Sequence, residues 1–375
     1  MVPVKSRKTW SPEASLNELA SLAATADAQV VGNLIQKLPA PSKTHYFGKG
    51  KLEELLALKE QLKFDSIIID DEITPQQQQN LEDFLHTKVI DRIALILDIF
   101  AKRAHTYEGK LQVELAQYEY NLPRLVGKWR HLERLGAGIG TRGPGESQLE
   151  TDKRLMKQKI NHLKKRIDEV RQHRELYRQK RKRTGIPVVA LVGYTNTGKS
   201  TLLNTLSKSN VIAKNELFST LDPTTRRLVL PDKTPFLLTD TVGFIRKLPP
   251  ALIAAFRATL EELTEAQLLI HVVDINSLNA PVQWDTVEKI LEDLNVSFTP
   301  RITVLNKIDL LLPVDQLWNE SKAQEYIASR CGLPVSNTVL VSAEKKWGLR
   351  QLLDMIQQQL KINNLPKSVI AIEDP

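Results

Sequence analysis

The segment ALVGYTNTGKSTLLNTL places Gly193-Tyr194-Thr195-Asn196-Thr197-Gly198-Lys199-Ser200 in the spacing G-x-x-x-x-G-K-[ST]. In that spacing the glycines let successive backbone N–H groups wrap phosphate oxygens. Lys199 would reach the β- and γ-phosphates, and the Ser200 hydroxyl, followed by Thr201, opens a helix whose positive end adds to the pull. A second cluster, Asp240-Thr241-Val242-Gly243, has the form D-x-x-G: an Asp that reaches the shell of a Mg²⁺ ion through water and a Gly amide that meets a γ-phosphate. A third, Asn306-Lys307-Ile308-Asp309, supplies a carboxylate able to accept from both N1–H and the exocyclic amine of guanine, a donor pair adenine lacks. With adenine that charge would stay buried and unpaired, so the box predicts guanine selectivity. Ser342-Ala343-Glu344 matches the weaker S-A-x pattern, whose backbone amide meets guanine O6.

Two positions in this set raise questions. In Ras-like proteins a glutamine commonly follows D-x-x-G and orients the attacking water. Here the residue is Phe244, which has nothing to offer that water, so slow intrinsic turnover and outside help are expected. Asn196 stands where several GTPases with an apolar residue after D-x-x-G hold K⁺, so a cation role and a loop-shaping role are both open to it. Between the phosphate loop and D-x-x-G, ELFSTLDPTTRRL offers Thr220, Thr224 and Thr225 as switch threonines. The run Phe218-Ser219-Thr220-Leu221-Asp222 resembles the switch segment of Obg-type GTPases and favours Thr220 over its rival Thr224. Mg²⁺ would then be held by Ser200, Thr220 and Asp240 (through water), with Lys199, Thr220 and Gly243 as the catalytic groups.

The elements that must position these residues are legible from periodicity. From Ile186 the apolar runs IPVVALV, FLLTD, QLLIHVVD, PRITVLNK and NTVLVSA alternate with helical stretches such as PALIAAFRATLEELTEA and LRQLLDMIQQQL. Near-continuous apolar strands between helices predict a mostly parallel sheet covered on both faces. Residues 1–104 read as a small α/β domain, with strands over 28–36, 65–70 and 88–91 and helices over 51–62 and 74–87. Thr74 and Pro75 give the second helix its N-cap and first position. GKGK at 48–51 could hold a phosphate at a helix start but lacks the rest of a phosphate loop.

Between these α/β regions, over 105–185, Leu111, Leu115, Tyr118, Leu122 and Leu125 recur in steps of four and three. Met156, Ile160, Leu163, Ile167, Val170 and Tyr177 do likewise, so two helices with narrow apolar seams are expected to bury each other. Ser147 and Glu150 suggest a capping box at the start of the second helix. The glycine-rich stretch over 136–145, carrying Arg142, would be the tip of an antiparallel hairpin. The G domain then spans 186–362, leaving 363–375 as a short tail.

The chain has 375 residues and a net charge of +8, yet residues 151–184 alone carry 14 Lys/Arg against 4 Asp/Glu. That concentration on one helix points to a polyanionic partner. The single cysteine, Cys331, excludes a disulfide framework and suits a reducing compartment. Neither a signal-peptide h-region nor a run of roughly 18 apolar residues is present, so a cytoplasmic protein is expected.

Together with GTRGPGESQLETDKR and TLDPTTR, these boxes closely resemble the HflX family of translational GTPases, over essentially the full chain. The resemblance implies Mg²⁺-dependent GTP hydrolysis and binding to the large ribosomal subunit. It further implies rRNA contact through the basic hairpin and its glycine-rich tip, and splitting of stalled ribosomes under stress. Some members carry a folded C-terminal domain, for which residues after about 362 leave room only for a tail. Two alternatives stay open at this point: a GTP-dependent RNA-remodelling factor that does not split ribosomes, and a GTPase at a membrane surface. No DNA partner is expected, and membrane association would be at most peripheral. The tip lacks the bulky apolar groups that lipid binding prefers.

Overall fold

A computed structural model of the chain describes residues 10–37, 40–125, 144–183, 185–207, 217–218, 220–247, 263–314, 316–331 and 336–364. They form two compact units, one running to Leu176 and the other taking up Tyr177–Arg246 and the residues from 263 on. No helix among the described residues is long and apolar enough to cross a membrane.

In the first unit, α1 (Pro12–Thr25) and α2 (Lys49–Leu62) precede β1 (Ser66–Ile69). Next come α3 (Pro75–Leu85), β2 (Lys88–Asp91), α4 (Arg92–Arg103) and α5 (Tyr107–Asn121). Thr74 caps α3 as the sequence predicts: its Oγ1 accepts from Gln77 N at 3.2 Å, and Gln77 Oε1 accepts from Thr74 N at 2.9 Å. β1 and β2 pair in parallel over a core of Leu52, Leu55, Ile69, Ile73, Leu81, Leu85 and Val89.

The expected strand over 28–36 is not one; that stretch pairs with neither strand. Adjacent Val30 and Val31 must point to opposite sides of an extended chain, and both stay exposed, while Leu34 alone of its apolar residues packs on the core. α1 is not legible as a helix from periodicity, although Ser11 caps it and Pro12 starts it.

Charged groups tie α4 and α5 to this core. Asp91 is fully buried; it caps α4 at Ala94 N (2.8 Å) and accepts from Tyr120 Oη (2.9 Å) and Arg124 Nη2 (3.0 Å). Arg92, 1% exposed, pairs with Asp70 at 2.6 Å and with Glu18. Removing one partner would strand a buried charge, which is why such clusters tolerate change poorly.

The two helical seams meet as predicted. Leu111 and Leu115 of α5 bury against Ile160 and Leu163 of α6 (Pro144–Arg183), with Tyr118, Leu122, Ile167 and Val170 packed alongside. Glu108 pairs with Arg174 at 2.7 Å and Glu114 with Lys159 at 3.4 Å, so the helices run antiparallel. α6 begins at Pro144, not at the Ser147 capping box. Proline at the first helical position has its φ already set and no N–H to leave unpaired, so the helix gains an earlier turn. The tip over 136–143 lies outside the described residues.

The second unit is a six-stranded sheet in the order β4-β5-β3-β6-β7-β8. Its strands are β3 (Val188–Val192), β4 (Thr224–Val229), β5 (Pro235–Asp240), β6 (Leu268–Asp274), β7 (Arg301–Asn306) and β8 (Thr338–Leu340). All pair in parallel except edge strand β4, which is antiparallel to β5 and hidden in the polar switch segment. The helices are α7 (Lys199–Ser207), α8 (Ala280–Asp293), α9 (Glu320–Cys331) and α10 (Leu349–Asn364). The helical run read over 250–266 falls largely outside the described residues. The fully buried strands carry the core, with Val189, Leu191, Leu238, Ile270, Ile302 and Val339 at its centre.

One core residue is titratable. His271, on β6, is 1% exposed, lies against Trp284 with ring centroids 4.2 Å apart, and its Nδ1 has no hydrogen-bond partner among the described residues. Burial, then the charges of Arg301 and Lys199, lower its pKa from 6.5 to about 3. A folded-state pKa below the unfolded one means the stabilisation is complete above pH 6.5 and is lost as pH falls toward 3. The slope is about 1.4 kcal/mol per pH unit for this one proton. Urea titrations of wild type and His271→Phe between pH 7 and 4.5 should show a shallower loss in the variant, and parallel curves would exclude His271 as a source.

Candidate functional site

The site forms at the carboxyl ends of the parallel strands, beside β3, from which the sheet grows in both directions, the usual position for a ligand in such sheets. The loop from Gly193 leads β3 into α7. Gly198 has φ 93°, and a Cβ there would stand 2.3 Å from Asn306 Nδ2, so only glycine allows that approach. Asn306 uses it: its Nδ2 donates to Thr197 O at 2.8 Å, and its Oδ1 accepts from Ala343 N at 3.1 Å. Lys307 extends the brace, donating from Nζ to Asn196 O at 2.8 Å while paired with Asp274 at 2.8 Å.

Sequence reasoning misses Asp274, which reads there only as the end of the apolar run HVVD. Asn196 is exposed, with φ 60°, a conformation asparagine tolerates better than most residues, which fits the loop-shaping role. Asp309 is half-exposed and its carboxylate has no hydrogen-bond partner among the described residues, while Ile308 beside it is buried. Ser342 is buried and accepts from Lys345 N at 3.0 Å; Glu344 is exposed.

Lys199 is buried, and its Nζ donates to Gly193 O (3.2 Å) and Tyr194 O (2.8 Å). Burial lowers its pKa to about 8, with Asp240 opposing and Lys307 assisting. Ser200 Oγ is 2.6 Å from Asp240 Oδ2 and 2.7 Å from Thr220 Oγ1, and Thr220 Oγ1 is 2.9 Å from Asp240 Oδ2. Burial raises the Asp240 pKa against the pull of Lys199.

Asp240 Oδ1 is buried with no hydrogen-bond partner among the described residues. Two hydroxyls meeting a carboxylate with an unused oxygen fit a hard divalent cation that also takes phosphate oxygens. Thr224 sits instead on β4, opposite Asp240 in the register, and Thr225 pairs with Thr239 at 2.9 Å. Ser219 lies outside the described residues, whereas Phe218 and Leu221 are buried and Asp222 is half-buried.

D-x-x-G is pinned to the phosphate loop by main-chain bonds. Thr195 N donates to Phe244 O (2.8 Å), Phe244 N to Gly193 O (3.1 Å), and Arg246 N to the Tyr194 hydroxyl (2.9 Å). A Cβ on Gly243 would meet both Lys199 Nζ and Thr195 Cα at 2.9 Å, so this approach also requires glycine. Thr241 Oγ1 donates to Leu191 O at 2.6 Å, anchoring the box to β3, while Val242 and Phe244 are buried. GKGK opens α2, where Gly48 N donates to Gln36 Oε1 at 3.2 Å, and no second feature there marks a phosphate site.

Asn306→Ala would leave Thr197 O and Ala343 N without their partner. The expected loss is about 2–4 kcal/mol of stability in nucleotide-free protein, read by chemical denaturation, together with weaker nucleotide binding. An unchanged midpoint would show that the brace is dispensable.

Family models match along the chain: "GTP-binding GTPase N-terminal" over residues 13–101, "GTP-binding GTPase Middle Region" over 103–181 and "50S ribosome-binding GTPase" over 188–307. The GTPase HflX of Caldanaerobacter subterraneus subsp. tengcongensis is 51% identical over 348 residues, 93% of this chain and 77% of that protein. That of Escherichia coli K12 is 41% identical over 345 residues, 92% of this chain and 79% of that one. A crystal structure of a GTP-binding protein from Sulfolobus solfataricus in complex with GDP aligns over 92% of this chain and 95% of that chain, at 26% identity and a TM-score of 0.45. The guanine, phosphate and D-x-x-G boxes, the family models and the two HflX sequences agree: the chain belongs to the HflX family and is a P-loop GTPase.

Proposed function

We propose that this GTPase acts in the cytoplasm on the large ribosomal subunit, binds it in the GTP state, and splits or rescues stalled ribosomes. The carrying observation is the helical hairpin. A 40-residue helix, α6, spends only a narrow seam on α5 and leaves a basic outer face, on which Arg154, Lys157 and Lys165 are exposed. Such a face suits a phosphate backbone, where released counterions supply the affinity. The family description that matches the G domain names the 50S ribosome, which supports the same reading.

In this reading Lys199 and the loop amides hold the phosphates; Ser200, Thr220 and, through water, Asp240 would hold a Mg²⁺ ion, which would offset charge building on those phosphates. Asp309 accepts the guanine donors. GTP holds the switch segment around Thr220 and the D-x-x-G box, and hydrolysis releases them. Intrinsic turnover is slow because Phe244 cannot order water, and the ribosomal surface supplies the missing order.

Asp309→Asn should weaken GTP binding at least about a hundredfold and shift preference toward xanthosine nucleotides, whose C2 carbonyl takes a donor. Equal GTP affinity in both proteins would remove Asp309 from the guanine site. In gradients with ribosomal subunits, the chain should migrate with the large subunit when bound to a non-hydrolysable GTP analogue and leave it with GDP. Deleting residues 136–143 should preserve GTP affinity, because the nucleotide contacts all lie in the second unit, and abolish splitting. Splitting at the wild-type rate by that variant would make the glycine-rich stretch a linker. Binding to RNA or anionic vesicles without subunit binding would favour one of the alternatives.

A further inference from the structure

With Phe244 in the place of a glutamine, the slow hydrolysis that proceeds without a ribosome has only the polar groups beside Gly243 to draw on for ordering water. One of them has no other occupation. Thr195, the third residue of the phosphate loop, is 5% exposed, and its Oγ1 is buried without a hydrogen-bond partner among the described residues. Neighbouring hydroxyls are engaged: Thr197 Oγ1 donates to Tyr194 O at 3.0 Å, and the Ser200 and Thr220 hydroxyls meet Asp240.

The loop wraps phosphates with main-chain N–H groups, so that task needs no hydroxyl at position 195. An unpartnered buried hydroxyl is costly, and valine would fill the same space without the cost. Its place is specific. Thr195 Cα and Cγ2 lie 2.9 Å and 3.0 Å from the point where a Gly243 Cβ would be, alongside Lys199 Nζ at 2.9 Å. The hydroxyl therefore belongs to the residue whose Cα and methyl pack on Gly243, on the side where the Lys199 ammonium also approaches it.

We propose that Thr195 is a catalytic residue whose Oγ1 accepts a hydrogen of the attacking water and turns its lone pair toward the γ-phosphorus. The water oxygen bonds to that phosphorus, and the bond to the β–γ bridging oxygen breaks with its electron pair left on GDP. The water's proton passes to a phosphate oxygen, giving GDP and inorganic phosphate, and Thr195 neither gains nor loses a proton. The inference rests on the GTPase activity and is independent of the ribosome reading.

The test is single-turnover hydrolysis without ribosomes, using the full chain in excess over GTP, beside equilibrium binding of GDP and of a non-hydrolysable GTP analogue. Thr195→Val keeps the shape and the methyl on Gly243 but removes the hydroxyl; Thr195→Ser does the reverse. Thr195→Val should hydrolyse about 10- to 100-fold more slowly. Both nucleotide affinities should stay within about threefold, and Thr195→Ser should keep its rate within about threefold. Wild-type hydrolysis by Thr195→Val would overturn the proposal. An equal loss in Thr195→Ser would assign the effect to methyl packing and overturn it as well. A parallel fall in GDP affinity in Thr195→Val would make the hydroxyl a support of loop shape and exclude the catalytic role.

Discussion

The site depends on one side-chain amide. Asn306 stands at the end of β7, 1% exposed, and joins the phosphate loop after β3 to the segment after β8 through Thr197 O and Ala343 N. These partners lie 109 and 37 residues away along the chain, so no local propensity could hold them together. Only the register of the parallel sheet brings the three strand ends level, and the amide then fixes them at hydrogen-bond precision. Glycine at 198 is the condition for that approach, and the left-handed turns at Asn196 and Lys307 extend the brace from an amide to a charge.

A similar economy governs the phosphate end. Lys199 and Asp240 are both buried charges, and each disturbs the other: burial pulls the lysine down and pushes the carboxylate up, while their mutual attraction opposes both shifts. Nearby main-chain carbonyls and hydroxyls supply the hydrogen bonds, but Asp240 Oδ1 is left without one. Such a site is preorganised for ligands carrying charge of their own. Phosphates suit the lysine, and a divalent cation suits the carboxylate and the two hydroxyls.

Most of this is legible in the sequence because the chemistry demands fixed spacings. The phosphate loop, D-x-x-G and N-K-x-D boxes can be read as strings since each needs contiguous backbone. The α5–α6 seam is equally legible, because Leu111, Leu115, Ile160 and Leu163 follow the helical repeat without interruption. What escapes depends on partners remote in sequence. Edge strand β4 is polar, with Arg226 and Arg227 exposed, so no apolar alternation announces it. Val30 and Val31 look like a strand but pair with neither β1 nor β2. The N-terminus of α6 is misplaced by sequence reasoning because a side-chain cap competes with a proline start, and the proline adds a turn. Asp274 reaches the site through Lys307, a residue on another strand's loop.

Phe244 shows why a string motif does not carry a mechanism by itself. In sequence it is the absence of a glutamine. In the fold it is a residue whose main chain bonds Gly193 and Thr195 and whose side chain is 2% exposed. Burying an aromatic ring there removes apolar area from water and holds the segment by hydrophobic burial, where a polar glutamine would have had to face the site. The same substitution thus weakens water ordering by position 244 and strengthens the attachment of D-x-x-G to the phosphate loop. Any group that restores order to the water must then come from the other side of that attachment, where Thr195 stands, or from a surface that loosens it.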